Sequence, residues 1–194
     1  MEHVVGVQPK SAAVREKSQL MSASEIDRTV VRLTHEILER NNGLEGLVLV
    51  GIRRRGVPLA ERLCRKMTEI EKTAPPVETL DITLHRDDLS GGQPKPVVQP
   101  GFSVEGKTVI LVDDVLYTGR TARAALDALV DHGRPRRVEL CVLIDRGHRE
   151  LPIQANYVGR VLQTSDNEVI AVRLREVDHQ DRVMLCERVE KNSG

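Results

Sequence analysis

One stretch limits what this chain can fold into more than any other. The apolar run Thr108, Val109, Ile110, Leu111, Val112 ends in Asp113 and Asp114, then passes through Val115, Leu116, Tyr117, Thr118 and Gly119 to Arg120 and Thr121. A continuous apolar run of this kind is what a parallel strand covered on both faces shows. Residues 121–132 read as a helix ended by Gly133. A strand feeding a helix through a short Gly-containing loop leaves backbone N–H groups free at the helix N-terminus, where a phosphate is well stabilised.

The side chains around that turn point the same way. Thr118 and Thr121 add hydroxyl donors, and Gly119 lets the backbone approach an anion closely. Asp113 and Asp114 fall at the carboxyl end of the strand, the edge where open α/β sheets bind ligands. Carboxylates do not grip phosphate, but they hold ribose hydroxyls or order the waters of a Mg²⁺ ion that neutralises pyrophosphate. An isolated Asp-Asp pair would more simply cap a turn. The apolar strand before it and the Thr-Gly-Arg-Thr helix start after it favour a phosphate and ribose site. The chain contains no Gly-x-x-x-x-Gly-Lys-Ser/Thr pattern, which counts against a P-loop ATPase.

The rest of the chain alternates strands with helices. Residues 1–20 show no clear period and are expected to be a mobile tail. Ser22 and Glu25 have capping-box spacing, and Ile26, Val30, Leu33 and Ile37 recur at helical intervals until Asn41, Asn42 and Gly43. Leu47–Ile52 is a second buried parallel strand. A helix from Val57, with Pro58 in its first turn, runs to about Thr68. Residues 77–84 alternate as a strand, and residues 87–101, with Gly91, Gly92, Pro94, Pro96 and Pro100, suit a long functional loop. Residues 137–144, 168–174 and 183–186 read as further strands. Strand, helix, strand, helix, strand implies a central parallel sheet flanked by helices. One domain, residues 21–194, is expected, with a small hood and flexible loop at about 77–107 and in the C-terminal strands.

Bulk properties narrow the partners. With 29 basic and 29 acidic residues the chain is not a polycation, so any nucleic-acid contact must be a local patch. Its three aromatics, Phe102, Tyr117 and Tyr157, are too few for a base-stacking platform. Cys64, Cys141 and Cys186 lie far apart and read as thiols in a reducing compartment. No apolar run reaches membrane-spanning length and the start is too polar for a signal peptide, so the cytoplasm is the expected compartment.

A second anion site lies beside the first. Arg53, Arg54, Arg55 and Gly56 follow strand 47–52 directly, which puts them on the same edge of the sheet. Three arginines at a strand end suit a highly charged leaving group.

Several segments together resemble one family. The segment 109–121 is similar to the phosphoribosyl-pyrophosphate (PRPP) signature of type I phosphoribosyltransferases. Residues 51–56, 81–89, 127–135 and 145–152 (Asp-Arg-Gly-His-Arg-Glu-Leu-Pro) extend the likeness to the PyrR family, from about Met21 to about Val183. Those proteins are bifunctional regulators of the pyrimidine operon with uracil phosphoribosyltransferase activity. The resemblance implies a type I phosphoribosyltransferase fold converting uracil and PRPP, with Mg²⁺, to UMP and pyrophosphate. It implies that Asp113 and Asp114 bind ribose, residues 116–121 the 5′-phosphate, and Arg54 and Arg55 with Arg86 the pyrophosphate. Asp145 and Arg146 would face the base. His85 stands where the family commonly has Tyr.

The family's second activity, UMP-promoted binding of an mRNA leader hairpin, is implied through Arg32, His35, Arg40, His148, Arg149 and Arg160. At about 100° per residue, Arg28, Arg32 and His35 share a stripe opposite the apolar face of their helix, which suits phosphate contact and equally a solvated face. Val31 and Gln154 depart from the family pattern, removing a hydroxyl and a cation. Homodimers or homotetramers are implied as well. Two rival readings remain: purine salvage without RNA binding, disfavoured by residues 145–152, and a UMP-sensing regulator with negligible catalysis, disfavoured by the arginines of the pyrophosphate site.

Overall fold

The computed structural model describes residues 14–85 and 101–189. Five parallel strands form the main sheet in the order β3-β2-β4-β5-β6: β2 (Leu47–Ile52), β3 (Val77–Leu80), β4 (Thr108–Leu116), β5 (Arg137–Asp145) and β6 (Tyr157–Val161). All six residues of β2 are buried, as an unbroken apolar strand between two covered faces must be. Helices α1 (Ala23–Asn41) and α2 (Gly56–Glu71) pack on one face through Ile26, Leu33, Leu63 and Met67. Helix α3 (Arg120–Leu129) covers the other through Ala122, Ala125 and Leu129. The expected doubly covered parallel sheet is therefore present.

Local chemistry sets the element ends. Ser22 caps α1 in a full capping box with Glu25, and Asn42 ends it in the left-handed conformation at φ 53°. Strand β3 stops at Leu80, earlier than the alternation to residue 84 suggested. There the Asp81 carboxylate accepts from both the Thr83 backbone N–H (2.9 Å) and its hydroxyl (2.6 Å), turning the chain into a 3₁₀ turn, Thr83–His85. β3 also belongs to the main sheet rather than to a hood.

The hood is a separate antiparallel sheet, β1-β8-β7, of β1 (Val14–Met21), β7 (Glu168–Arg173) and β8 (Arg182–Arg188). The short helix α4 (Arg175–Asp178) joins β7 to β8. β1 corrects the expectation of a mobile tail to residue 20: residues 14–20 are a strand. They show no apolar alternation because the strand is exposed along most of its length. Backbone pairing with β8 and ion pairs across the sheet hold it, Arg15 to Glu187 at 2.8 Å and Lys17 to Glu168 at 2.7 Å. The three cysteines are free thiols, Cys141 and Cys186 buried and Cys64 half-buried. No helix among the described residues is long and apolar enough to cross a membrane.

Candidate active site

β2 and β4 are hydrogen-bonded neighbours running in one direction, so their carboxyl ends deliver two loops side by side. Residues 53–56 leave β2 and residues 117–119 leave β4. Gly56 makes this proximity possible, since a Cβ there would lie 2.2 Å from the Val112 carbonyl oxygen. The start of α2 thus rests directly on the β4 backbone at the Asp113 position. One cleft, of about 490 Å³, is walled by Arg53, Arg54, Arg55, Asp81, Asp113 and Asp114. A second, of about 680 Å³, is walled by residues 115–122 with Asp113 and Arg188. Both include Asp113, Val115 and Thr121, so they form one trough along the sheet edge. Val109 is wholly buried in β4 and supports the loop from within.

The phosphate loop is held from behind. Thr118 O accepts from the amides of Glu150 (2.9 Å) and Leu151 (3.1 Å), and Tyr117 O accepts from Arg149 Nη1 at 2.8 Å. Arg120 Nε donates to Glu150 at 2.6 Å. Gly119 is the N-cap of α3 at φ 91°, which suits glycine; it offers no capping side chain, and Thr118 Oγ1 accepts from Arg120 N at 3.3 Å. The Thr118 and Gly119 amides make no hydrogen bond among the described residues, which leaves donors facing the cleft. A helix start with free amides beside Thr hydroxyls is a site for a phosphate.

The two carboxylates are recessed. Asp114 N donates to Asp113 Oδ1 and Val115 N to Asp114 Oδ1, each at 2.9 Å. Burial pushes the Asp113 carboxyl well above the ordinary range, and the neighbouring Asp114 charge raises it further. Burial raises Asp114 too, against the opposing pull of its bond with Asp113 and of the Arg55 charge. Such a pair favours a ligand that brings hydroxyl donors or positive charge. Among the described residues no cluster of three or more His, Cys, Asp or Glu could hold a metal by itself.

The arginines divide the work. Arg55 donates from Nε (3.1 Å) and Nη2 (2.7 Å) to Asp178 of α4, a two-pronged pair that fixes it beside Asp114. Arg53 pairs with Asp81 at 3.2 Å, and the Arg53–Arg54 peptide is cis. Arg54 is exposed with no ion partner among the described residues, so it is the cation open to a ligand. Arg86 and the loop through residue 100 lie outside the described residues.

The turn after β5 differs in detail from its expected part in base binding. Arg146 is only 4% exposed. Its guanidinium stacks over the Tyr117 ring at 3.9 Å, and it donates to Thr164 Oγ1 (3.1 Å) and Glu168 O (3.0 Å). Asp145 accepts from Gly147 N at 3.0 Å and from Arg149 at 2.6 Å. Both residues therefore shape the wall behind Tyr117. Arg149, expected at an RNA surface, is spent on Asp145 and on the carbonyls of Tyr117, Gly147 and Ile153.

The remaining RNA candidates follow the outer strand β6. Arg40 lies 5.6 Å over the Tyr157 ring, and Arg32 donates to Val158 O and Gly159 O while pairing with Glu36. Arg160, in β6 itself, donates to Leu20 O at 2.6 Å and meets Glu25 at 3.3 Å. His148 Nε2 meets Thr164 O at 2.6 Å. His35 is exposed on the same helix as Arg32 and Arg40. Sequence reasoning missed Asp81 and Arg188 as lining residues of the trough, and Asp178 as the partner of Arg55. No local signal marks Asp178 or Arg188, because only tertiary packing brings α4 and β8 there.

The comparisons agree with this geometry. A phosphoribosyl transferase domain model matches residues 18–178. Among solved structures, a hypoxanthine phosphoribosyltransferase from Staphylococcus aureus superposes with a TM-score of 0.67 over 87% of this chain and 90% of that one, at 21% identity, a likeness of fold. The hypoxanthine phosphoribosyltransferase of Trypanosoma cruzi does so with a TM-score of 0.68 over 90% and 98%, at 19% identity. Bifunctional protein PyrR of Pelotomaculum thermopropionicum is 57% identical, covering 91% of this chain and 99% of that protein. Its counterpart in Thermus thermophilus is 56% identical over 90% and 98%. Clostridioides difficile PyrR is 54% identical over 89% and 99%. With a matching domain model and relatives of this closeness along nearly its whole length, the chain belongs to the PyrR family of phosphoribosyltransferases.

Proposed function

We propose that this chain transfers the phosphoribosyl group of PRPP to uracil, giving UMP and pyrophosphate, and that with UMP bound it recognises a leader mRNA hairpin of the pyrimidine operon. The observation that carries the catalytic half is the pair Asp113 and Asp114 at the floor of one trough between the loop of residues 117–121 and the arginines of residues 53–55. That order matches a substrate with a 5′-phosphate at one end, ribose hydroxyls in the middle and pyrophosphate at the other.

Uracil N1 attacks the anomeric carbon while the bond from that carbon to the pyrophosphate oxygen breaks; the N1 proton is lost and pyrophosphate takes the bonding electrons. The ribose becomes cation-like as the leaving group departs. Catalysis then consists of holding both reactants in line, neutralising the leaving group and placing negative charge near the ribose. Asp113 and Asp114 bind the ribose hydroxyls and present that charge. Arg54 and Arg53 receive the pyrophosphate, and Arg55 is locked by Asp178 so that it balances Asp114. Mg²⁺ bound with the pyrophosphate would supply further neutralisation, and Asp113 and Asp114 would help hold it through its waters. Arg86 is proposed to join on the pyrophosphate side.

For the RNA half, the support is the run of cationic side chains along α1 and the outer strand β6, with Arg32, His35 and Arg40 exposed on α1. Assembly as a dimer or tetramer belongs to the same reading and is checked by mass in solution. Two assays test the function. Product formation with uracil against hypoxanthine is expected to favour uracil strongly; preference for hypoxanthine would make the chain a purine salvage enzyme. A gel shift with leader RNA is expected to strengthen when UMP is added, and a shift indifferent to UMP would remove the regulatory half.

A further inference from the structure

Arg188 ends β8, in the hood sheet. Its backbone N–H donates to Asn167 O at 2.9 Å, and it stands opposite Val14 on β1, so two neighbouring chain segments fix where it leaves the hood. Its side chain reaches the wall of the cavity formed by residues 115–122. The other cations of the hood sheet are matched: Arg15 with Glu187, Lys17 with Glu168, and both Arg173 and Arg182 with Glu16. Arg188 alone among them has no ion partner among the described residues.

Its nearest charged neighbour makes this more telling. Arg146 is buried behind Tyr117, with donors committed to Thr164 and Glu168. Burial is the largest influence and lowers its pKa, Tyr117 raises it, and the Arg188 charge lowers it. Asp166 and Glu168 pull the other way, but both are engaged elsewhere. Glu168 is held by Lys17, and Asp166 faces solvent beside His148. A cation without an ion partner, lining a cavity that Thr118 and Gly119 also line with free amides, is best satisfied by an anion arriving in that cavity. Arg146 has no such freedom, since its position is set by packing.

We propose that Arg188 is a phosphate ligand supplied by the hood, closing on the nucleotide 5′-phosphate from the side opposite residues 118–121. The residue then determines preference for phosphorylated over unphosphorylated ligand, and it joins the hood sheet to the main sheet through the ligand itself. This rests on the nucleotide-site reading above.

The test compares two ligands that differ only in the phosphate. UMP and uridine are titrated separately, at one ionic strength, into wild type, Arg188→Gln and Arg188→Lys, all full-length. Arg188→Gln is expected to lose about tenfold in UMP affinity, or about 1.4 kcal/mol, with uridine affinity unchanged. Arg188→Lys is expected to recover most of the loss. Equal losses for both ligands would make the contact one with base or ribose and overturn the proposal, as would unchanged UMP affinity. A wild type that binds neither UMP nor PRPP would overturn the site reading and this proposal together, which is a distinct outcome. Circular dichroism of the variants separates lost contact from lost fold.

Discussion

At the scale of single residues, the trough concentrates two kinds of unease: carboxylates buried without enough cation, and cations left without carboxylate. Asp113 and Asp114 titrate above the ordinary range because burial penalises their charge. A folded-state pKa above the unfolded value means that ionisation at neutral pH costs stability, and the cost disappears below the usual carboxylate pKa of about 4. Asp113→Asn is therefore expected to raise Tm at neutral pH, with the gain shrinking toward acid; calorimetry across pH checks it, and a lowered Tm would contradict the burial argument. Arg149→Ala speaks to a different question. Because Arg149 supports Tyr117 O and Asp145, it should slow turnover by about tenfold through loss of loop position, measured with saturating substrates. A variant with full turnover and weakened RNA binding would return Arg149 to the RNA surface.

At the scale of elements, the loops are placed by how strands and helices meet. Gly56→Ala would drive a Cβ into the Val112 carbonyl, which forces α2 off β4. Overpacking of that kind costs about 2 kcal/mol, a fall in Tm of about 4–8 °C for a chain of this size. The α2–α4 junction matters similarly. Arg62 on α2 donates to Glu176 (2.9 and 2.6 Å) and to Asp181 (2.6 Å), pinning α4, whose Asp178 holds Arg55. Arg62→Met should lower stability by about 2 kcal/mol and raise the KM for PRPP. Glu176, Asp178 and Asp181 all titrate below their ordinary values. For Glu176 and Asp178 the guanidinium bond is the largest cause; for Asp181 burial opposes the shift and Arg62 overrides it. Unfolding thus takes up protons, so their contribution is complete above about pH 4.5 and lost as pH falls through the lowered values. Acid titration of wild type and Arg62→Met should show the variant with the shallower acid limb.

These elements also show what was legible in the sequence. Ser22 and Glu25 fixed the start of α1 because a capping box is local, and Leu47–Ile52 was readable because both its faces are buried. β1 was not readable. Residues 15–18 are exposed and polar, and their strand exists because β8, far away in sequence, pairs with them. Asp178, as the partner of Arg55, and Arg188, as a lining residue of the trough, were hidden for the same reason, since packing alone brings them there.

For the whole molecule, the trough and the basic line along β6 occupy separate surfaces, so the two activities should be separable by mutation. His35→Ala combined with Arg40→Ala is expected to reduce leader-RNA affinity about tenfold and flatten its salt dependence, leaving turnover unchanged. Equal RNA affinity would place the RNA elsewhere. Arg32 and Arg160 are poorer probes, because they also tie α1 and the end of β1 to β6.

The most direct test of the catalytic centre is UMP formation from uracil and PRPP with Mg²⁺, followed by chromatography for wild type and Asp114→Asn. Wild type should form UMP and one equivalent of pyrophosphate, and Asp114→Asn, with its fold intact by circular dichroism, should be slower by about 100-fold or more. No UMP from wild type, or equal rates for the two proteins, would contradict the assignment.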